Sequence, residues 1–331
     1  MSNSGVTRKL EEKEGVEMRR FAISGYGPAE KVFQEIVDTP REVTPNHLRV
    51  ELKAFSINPY DVALRSGKMK EVRTLTFPYV LGNDGAGIVT EVASDVDSFA
   101  VGDRVVVHPV SGAYGEEIVL PASKVAKIPD EMSWVEAAAM VTTGITAYNV
   151  INHLLTIQPT DTVMVTGASG GVGTSLIQLL HQKGIRTLAS ASKTNEELVR
   201  SLGVTHFSSY DQENPEEVFS NQADIVIDAT KGSIAGDMAI KIMKEEGHYV
   251  ALNELPSLAS RQKKNGFYET FVPRKEYSDQ EALTHLIAAY KTGNYHIFVA
   301  EELAATLDHL IWAHHQLEGH PSAGKIVLTY D

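Results

Sequence analysis

The sequence predicts an α/β protein with two domains, an antiparallel β-barrel or sandwich and a parallel sheet with crossover helices. The chain has 331 residues, which is enough for two domains of ordinary size. Its first third contains many short β-like runs, whereas strands and helices alternate from Asp161 onward. The first pattern is typical of antiparallel sheets and the second of parallel sheets.

The β-rich part covers residues 19–130. Runs such as "LRVELKAFSI", "GIVTEV", "DRVVVHPV" and "EEIVLP" are separated by Gly, Pro and Asp turns, as in an antiparallel barrel or sandwich. A helix is predicted next, from Ser133 to Ile151. Ser133 and Glu136 have the spacing of a capping box, and an alanine-rich run follows them.

The alternating part begins with the strand "DTVMVTGA", the helix "GVGTSLIQLLHQKG" and the strand "IRTLASAS". The helix "NEELVRSLG" and the strands "ADIVIDAT" and "EGHYVALNE" follow. After about Arg274 we predict the helix "SDQEALTHLIAAYKTG", a strand in "YHIFVA", a helix from Glu301 to about Glu318 and a last strand in "GKIVLTY".

Composition limits the classes of function. The net charge of −13 argues against a nucleic-acid partner, and no apolar run is long enough to span a membrane. Residues 1–17 are polar and lack an apolar signal core, so we expect a flexible extension, native or left from cloning. The chain has no cysteine, which suits a reducing cytoplasm and excludes thiolate metal ligands.

The segment "VMVTGASGGVGTSLIQLL" carries the strongest functional motif. Ala168, Gly170 and Gly173 fit the G-x-G-x-x-G spacing of a dinucleotide-binding turn, with alanine at the first position. Glycines let the backbone approach a pyrophosphate, and the N–H groups of a helix N-terminus face it. The alternative is a tight strand-to-helix turn without a ligand.

Coenzyme choice depends on the end of the next strand, "TLASASKTNEE". NAD-binding sites usually have an acidic residue there, but this chain has Ser192 and Lys193, with acids only at Glu196 and Glu197. A serine and a lysine suit the additional 2′-phosphate of NADPH. The alternative for Lys193 is a solvated surface lysine.

The motifs together resemble a known family. "INPYDVALRSG", "PYVLGNDGAGIV", "FAVGDRVVV", "AAAMVTTGITAY", "VTGASGGVG" and "GKIVL" occur in the order found in zinc-free medium-chain dehydrogenase/reductases of the quinone oxidoreductase (zeta-crystallin-like) type. The resemblance implies a GroES-like catalytic domain, residues 18–140 and 276–331. It also implies that a doubly wound Rossmann domain, residues 141–275, interrupts it.

The resemblance also implies that no metal is bound. Zinc alcohol dehydrogenases of the same superfamily hold zinc through cysteine and histidine, and these positions correspond here to Asn58 and Asn83. Asp84 alone does not make a zinc site. We assign the histidines of "HLIWAHHQLEGH" to an amphipathic helix and its end rather than to a metal site: His309, His314, His315 and His320.

Without a Lewis acid, the acceptor must take hydride readily. The resemblance therefore implies NADPH-dependent reduction of a quinone or an α,β-unsaturated carbonyl, which is a small electrophilic substrate. Two alternatives are an enoyl reductase for carrier-bound acyl chains and a non-catalytic NADPH-binding protein with a structural or regulatory role. Relatives of this type usually form homodimers through a sheet edge, and we expect "HYVALNELPSLA" to supply that edge.

The resemblance suggests roles for individual residues. Asn58 matches an asparagine near the nicotinamide, where its amide would hydrogen-bond a substrate carbonyl, and the alternative is a turn asparagine. Tyr60 either donates a proton or lines the pocket. Thr146 matches a threonine that orients the nicotinamide amide, with a helix-interior threonine as the alternative.

The remaining predicted contacts lie along the coenzyme. Gly170, Gly171 and Val172 would follow the pyrophosphate, and Tyr210 would flank the adenosine or else be a surface aromatic. Lys325 either reaches the coenzyme or is structural. A further group of predicted contacts ends strands at the carboxyl edge of the parallel sheet, where open α/β sheets bind ligands: Asp228, Ala229, Thr230, Leu252 and Asn253.

Overall fold

The computed structural model describes residues 17–39, 41–319 and 323–330. The predicted flexible extension lies outside these residues except for Glu17. Strands in the described residues are Met18–Ile23 (β1), Phe33–Asp38 (β2), His47–Ser56 (β3), Tyr79–Val80 (β4), Asp84–Val92 (β5), Arg104–Val107 (β6), Glu117–Pro121 (β7), Val125–Lys127 (β8), Thr162–Thr166 (β9), Arg186–Ala191 (β10), His206–Ser209 (β11), Ala223–Asp228 (β12), Met243–Ala251 (β13), Gly266–Thr270 (β14), Val299–Ala304 (β15) and Lys325–Thr329 (β16). Helices are Ala29–Val32 (α1), Pro59–Ser66 (α2), Trp134–Asn149 (α3), Gly171–Gln182 (α4), Glu196–Ser201 (α5), Pro215–Val218 (α6), Gly236–Ile242 (α7), Leu258–Arg261 (α8), Asp279–Lys291 (α9) and Leu307–Glu318 (α10).

The first part of the chain forms a mainly antiparallel β-domain, as predicted. Its larger sheet has the strand order β15-β16-β3-β5-β6-β8, with β7 paired to β3, and its smaller sheet has the order β2-β1-β4. In β3 the side chains of Leu48, Val50 and Leu52 are buried, and those between them are more exposed, which is the period-two pattern of a sheet with one core face. The last strand, β16, pairs with β3, so the end of the chain returns to the domain where it began.

The second part forms a doubly wound parallel sheet with the strand order β11-β10-β9-β12-β13-β14. Every neighbouring pair is parallel, and the order in chain sequence is the 3-2-1-4-5-6 order of a dinucleotide-binding sheet. Both faces are buried: Val163 and Val165 of β9 join one apolar cluster, and Met164 joins the other. The chain reverses direction across the sheet between β9 and β12, which places a crevice at the carboxyl ends of these two strands.

Helix α3 connects the two parts. It begins with the predicted capping box, in which Ser133 Oγ accepts from Glu136 N at 3.2 Å and Glu136 Oε2 accepts from Ser133 N at 3.1 Å. The helix contacts α4 beside the parallel sheet and β5 in the antiparallel sheet. Its residues therefore border both halves of the crevice.

Two predictions about the second half are wrong. The helix after "YHIFVA" begins at Leu307 rather than Glu301, because residues 299–304 form β15 and pair in parallel with β16. The segment "HYVALNELPSLA" does not supply the sheet edge, because β13 lies between β12 and β14. The two edge strands are β11 and β14, and β14, which follows β13, is a short strand of partly exposed residues that lacks the apolar pattern of a buried strand.

Candidate active site

The glycine-rich turn follows β9 and opens α4. Gly167 has a φ of +64°, a left-handed conformation that favours glycine. A methyl group on Gly173 would lie 2.2 Å from the carbonyl oxygen of Gly167, so only glycine allows this close approach of helix and turn. Gly170 is exposed, and the atom nearest to a methyl group there would be Gly167 O at 3.3 Å. The open backbone at Gly170 fits the cradle that a pyrophosphate needs.

The adenosine side of the crevice lies after β10 and β11. Asn195 Nδ2 donates to Ser192 Oγ at 3.0 Å and to Ser169 Oγ at 3.1 Å, which joins this segment to the glycine-rich turn. Tyr210 is 60% exposed, and its N–H donates to Ala191 O at 3.2 Å. The structure therefore brings Ser192 and Tyr210 together at the carboxyl ends of β10 and β11, and their contacts with a coenzyme stay predictions. Sequence reasoning missed Asn195, although it lies only two positions after Lys193.

Lys193 lies in the same segment but is not a free cation. Its N–H donates to Asp211 Oδ1 at 2.8 Å, and its ammonium forms an ion pair with Glu196. Sequence reasoning placed Glu196 beyond the binding position and did not consider Asp211. Two carboxylates thus contact the residue that was predicted to attract a phosphate.

The ends of β12 and β13 lie on the opposite side of the crevice. The carbonyl group of Ala229 is 3.1 Å from the position of a methyl group on Gly167, so its backbone borders the turn. Asn253 Nδ2 donates to Thr230 O at 3.0 Å, and Leu252 N donates to the main chain of β12 at 2.9 Å. These residues meet at the predicted edge.

Asp228 differs from the others because its carboxylate is buried within the fold. Its Oδ1 accepts from Thr166 Oγ1 at 2.7 Å and from Thr230 Oγ1 at 2.6 Å, and its Oδ2 accepts from Tyr249 OH at 2.6 Å. These hydroxyl groups fix the loop after β12. The geometry gives Asp228 a positioning function, and its contact with a coenzyme stays a prediction.

A buried polar cluster lies next to the turn, and Asn58 is its centre. The N–H of Asn58 donates to Asp61 Oδ2 at 2.9 Å, its Nδ2 donates to Asp84 Oδ2 at 2.8 Å, and its Oδ1 accepts from Lys325 Nζ at 2.5 Å. All four residues are buried. The side-chain amide of Asn58 thus already has internal partners. Its predicted hydrogen bond to a substrate carbonyl stays a prediction.

The ammonium of Lys325 uses all three of its donors inside the protein. Besides Asn58, it donates to Ile57 O at 3.1 Å and to Asp84 Oδ2 at 3.3 Å. The aliphatic part of the side chain passes close to the turn, with Cδ 3.5 Å from the position of a methyl group on Gly171. The internal hydrogen bonds of its ammonium therefore favour a structural role for Lys325. Its aliphatic part borders the predicted coenzyme site.

Asp84 is the main residue that sequence reasoning missed. It begins β5 fully buried and also accepts from Ser56 Oγ at 2.7 Å and from Thr142 N at 3.1 Å. The sequence motif suggests for Asp84 only an insufficient metal ligand. An acid within the small apolar run "GNDGAGIV" was nevertheless a usable indication, because a buried carboxylate requires a cation or several donors.

Asp61 holds the second buried carboxyl group of the cluster. Burial raises its pKa to about 7, with a smaller contribution from Asp84 and opposition from the Asn58 N–H. The neighbouring Tyr114 OH lies 3.3 Å from His314 Nε2. Burial raises the pKa of Tyr114 and lowers the pKa of His314 well below its usual value. Both groups are therefore neutral at physiological pH.

Tyr60 and Thr146 lie at the margin of the cluster. Tyr60 is 37% exposed, and its hydroxyl accepts from Arg73 Nη1 at 2.9 Å, which leaves its own O–H free to donate. Thr146 is half-buried on α3, one helical turn after Thr142. Their roles as a proton donor and as a nicotinamide contact stay predictions.

The metal-ligand positions of the related zinc enzymes hold amides with other partners. Asn83 Nδ2 donates to Pro109 O at 3.0 Å and to Val110 O at 2.8 Å. Within residues 17–39, 41–319 and 323–330, no three His, Asp or Glu side chains come together as a metal site. His320 lies outside the described residues. Independence of zinc stays a prediction.

Comparisons with known proteins agree with this geometry. Residues 44–130 match the model of the alcohol dehydrogenase GroES-like domain, and residues 202–328 match the model described as zinc-binding dehydrogenase. Together these segments cover more than half of the chain. The chain belongs to the medium-chain dehydrogenase/reductase family. This medium-chain dehydrogenase/reductase is similar to quinone oxidoreductases, and its family is NAD(P)-dependent.

Two curated relatives show the range of the family. The human synaptic vesicle membrane protein VAT-1 homolog is 32% identical over 222 residues, which are 65% of this chain and 56% of that protein. A probable quinone oxidoreductase of Schizosaccharomyces pombe is 34% identical over 171 residues, which are 51% of this chain and 50% of that protein. Each alignment thus spans only about half of the relative. No helix in the described residues is long and apolar enough to cross a membrane.

Solved structures cover nearly the whole chain. The quinone oxidoreductase from Coxiella burnetii is 27% identical with a TM-score of 0.81, over 96% of this chain and all of that chain. Escherichia coli quinone oxidoreductase complexed with NADPH is 24% identical with a TM-score of 0.83, over 94% of this chain and 100% of that chain. CurK enoyl reductase is 20% identical with a TM-score of 0.84, over 95% of this chain and 99% of that chain. The last two establish only the fold.

Proposed function

We propose that this chain is an NADPH-dependent, zinc-free reductase that transfers hydride to a quinone or to an α,β-unsaturated carbonyl compound. The open glycine turn at the switch point of a doubly wound sheet, with the buried Asn58 cluster beside it, is the observation that carries the proposal. This arrangement puts a coenzyme cradle next to a fixed polar wall. The coenzyme supplies the hydride, and the residues of the chain position it and the acceptor.

The coenzyme assignment rests on two points. Ser192 and Lys193 occupy the position where NAD-binding sites usually have an acid, and a lysine there attracts the 2′-phosphate of NADPH. The E. coli relative with the same fold is described as complexed with NADPH. Asn195, bonded to both Ser169 and Ser192, would hold the two segments that flank the ribose in a fixed arrangement.

The acceptor assignment rests on the residues at the metal-ligand positions. The chain has no cysteine, and the amides of Asn58 and Asn83 are bonded inside the protein. With no zinc bound at these residues, an acceptor whose negative charge delocalises after hydride transfer reacts most easily. Quinones and enones have this property. Similarity to the quinone oxidoreductases supports the same class.

The protein contributes mainly by positioning. The buried pair of Asp84 and Lys325 fixes Asn58 at the start of α2, and α2 in turn carries Tyr60 at the exposed margin. The Arg73 guanidinium donates to the Tyr60 hydroxyl, so the Tyr60 O–H points away from Arg73 and is free for a substrate oxyanion. Tyr60 or solvent would supply the proton.

A screen of NADPH oxidation tests the proposal directly. Quinones, enones and enals are offered to the full chain, and the loss of reduced nicotinamide absorbance is followed. We expect turnover of at least one of these classes. If Tyr60 is the proton donor, Tyr60→Phe should have a lower kcat/KM. If no acceptor supports NADPH oxidation, the result would favour the non-catalytic alternative.

The coenzyme is tested with Lys193→Asp. This change removes the cation and adds repulsion against the 2′-phosphate, so the ratio of kcat/KM for NADPH to that for NADH should fall about tenfold or more. NADH use should change little, because the two coenzymes share their other contacts. An unaltered ratio means that the phosphate lies elsewhere.

An enoyl reductase for carrier-bound acyl chains is the second candidate, because CurK enoyl reductase has the same fold. The two acceptor classes differ in the need for a carrier. A carrier-linked enoyl substrate that is turned over much faster than the same enoyl group on a short thioester would favour the second candidate. Equal rates would favour a small free substrate.

We also propose a cytoplasmic homodimer that pairs through β14, one of the two edge strands of the parallel sheet. Phe267 on this strand is 58% exposed, and exposed sheet edges are normally covered. Sedimentation of the wild type should give a dimer, and Phe267→Glu should shift it towards monomer. A wild-type monomer at micromolar concentration would contradict the assignment.

A further inference from the structure

Glu196 joins two cations at the adenosine side of the crevice. One carboxylate oxygen forms an ion pair with Lys193, and the other accepts from Arg200 Nε at 2.8 Å. The Arg200 guanidinium also lies over the ring of Phe207, 5.4 Å from its centroid. Glu196 is therefore fixed from the side that faces away from Lys193.

The Lys193 main chain is fixed as well. Its N–H donates to Asp211 Oδ1 at 2.8 Å, which holds the short turn between β10 and α5 in place. The Lys193 side chain is 60% exposed and ends at Glu196. Hydrogen bonds from Lys193 and Arg200 lower the pKa of Glu196, so the carboxylate is ionised at neutral pH.

We infer that Glu196 determines coenzyme selectivity by competing with the 2′-phosphate of NADPH for the ammonium of Lys193. This inference rests on the proposed coenzyme function. A 2′-phosphate dianion that reaches Lys193 comes close to the Glu196 carboxylate, and the two anions repel each other. NADH carries a 2′-hydroxyl there and avoids this repulsion. The preference for NADPH is therefore weaker than Lys193 alone would give.

A single exposed ion pair often has no measurable effect on stability or binding, so the effect of Glu196 on coenzyme binding requires more than its pairing with Lys193. Arg200 provides this, because it keeps the Glu196 carboxylate in position after the phosphate binds and prevents it from rotating away. Glu197 provides a matched control, since it is exposed and its side chain makes no hydrogen bond or ion pair with another described residue. Both glutamates carry the same charge and lie in the same helix.

The test measures dissociation constants of 2′,5′-ADP and 5′-AMP with the full chain at low salt. Glu196→Gln should tighten 2′,5′-ADP about two- to fivefold and leave 5′-AMP unchanged. Glu197→Gln should change neither constant by as much. The kcat/KM ratio of NADPH to NADH should rise in Glu196→Gln by the same factor. Glu196→Ala tests the same point if Glu196→Gln does not fold.

The outcomes separate the inference from the coenzyme proposal. If Lys193→Met weakens 2′,5′-ADP but Glu196→Gln has no effect, the inference is overturned and the NADPH assignment stands. If the wild type binds both nucleotides equally and Glu196→Gln creates a preference for 2′,5′-ADP, the inference holds and the NADPH preference does not. If none of the substitutions changes either constant, both are wrong.

Discussion

Replacing Lys325 with methionine should strongly destabilise the protein. Methionine keeps most of the aliphatic volume beside the glycine turn but removes the ammonium that is bonded to Ile57, Asn58 and Asp84. Asp84 is then a fully buried carboxylate without its cation. Breaking a buried ion pair from one side costs about 3–5 kcal/mol. Asp84 keeps donors from Ser56 and Thr142, so we expect a cost near 3 kcal/mol, at the lower end of that range.

A double-mutant cycle tests the reason for this cost. In an Asp84→Asn background no carboxylate remains at that position, so the cost of Lys325→Met should fall to about 1 kcal/mol. Thermal unfolding is the assay, and a loss near 3 kcal/mol corresponds to roughly 6–12 °C in Tm for a large domain.

Lys127→Met is the control, because Lys127 forms a surface pair with Asp103 at 2.8 Å and is half exposed. Its loss should cost less than about 1 kcal/mol. The ion-pair explanation is refuted if Lys325→Met costs the same in both backgrounds. A cost no larger than that of Lys127→Met would refute it as well.

Three further predictions concern the turn, the second carboxyl group and the metal. Gly173→Ala should lower Tm markedly, because its methyl group would lie 2.2 Å from a main-chain oxygen. In Gly170→Ala the methyl group would lie 3.3 Å from Gly167 O, a tight contact that a small shift relieves, so this variant should lower Tm less while weakening NADPH binding; equal loss of Tm in both would contradict the assigned geometry. The raised pKa of Asp61 means that the folded state retains a proton which the unfolded state loses above about pH 4. The stability of the wild type relative to Asp61→Asn should therefore fall by at most about 1.4 kcal/mol per pH unit between pH 4 and 7, and a difference independent of pH would count against the shift. Elemental analysis should find no stoichiometric zinc, and activity should survive exhaustive chelation; one zinc per chain, lost together with activity, would reverse that prediction.

The sequence by itself determined the features whose residues are close together in the chain. The strand, the glycine turn and the helix that form the coenzyme cradle are contiguous, so the motif and the periodicities around it predicted the local structure correctly. The capping box of Ser133 and Glu136 spans one helical turn and was predicted for the same reason. The alternation of strands and helices was enough to predict the parallel sheet.

Only the tertiary structure decided which strand forms the edge beyond β12. β13 is an apolar run that could belong to an edge or to an interior position, and its neighbour β14 has too few buried side chains to be recognised as a strand. Edge position depends on which segments pair, and pairing is not encoded in the period of a single segment.

Tertiary structure also decided how the charged residues are used. Asp84 and Lys325 are 241 positions apart, and they meet because β16 pairs with β3 next to β5. Glu196 is only three positions from Lys193, yet its effect depends on the side-chain direction that the turn before α5 imposes. Residue type predicts that a charge needs a partner, but the partner is selected by the packing of distant segments and by rotamers that local periodicity does not specify.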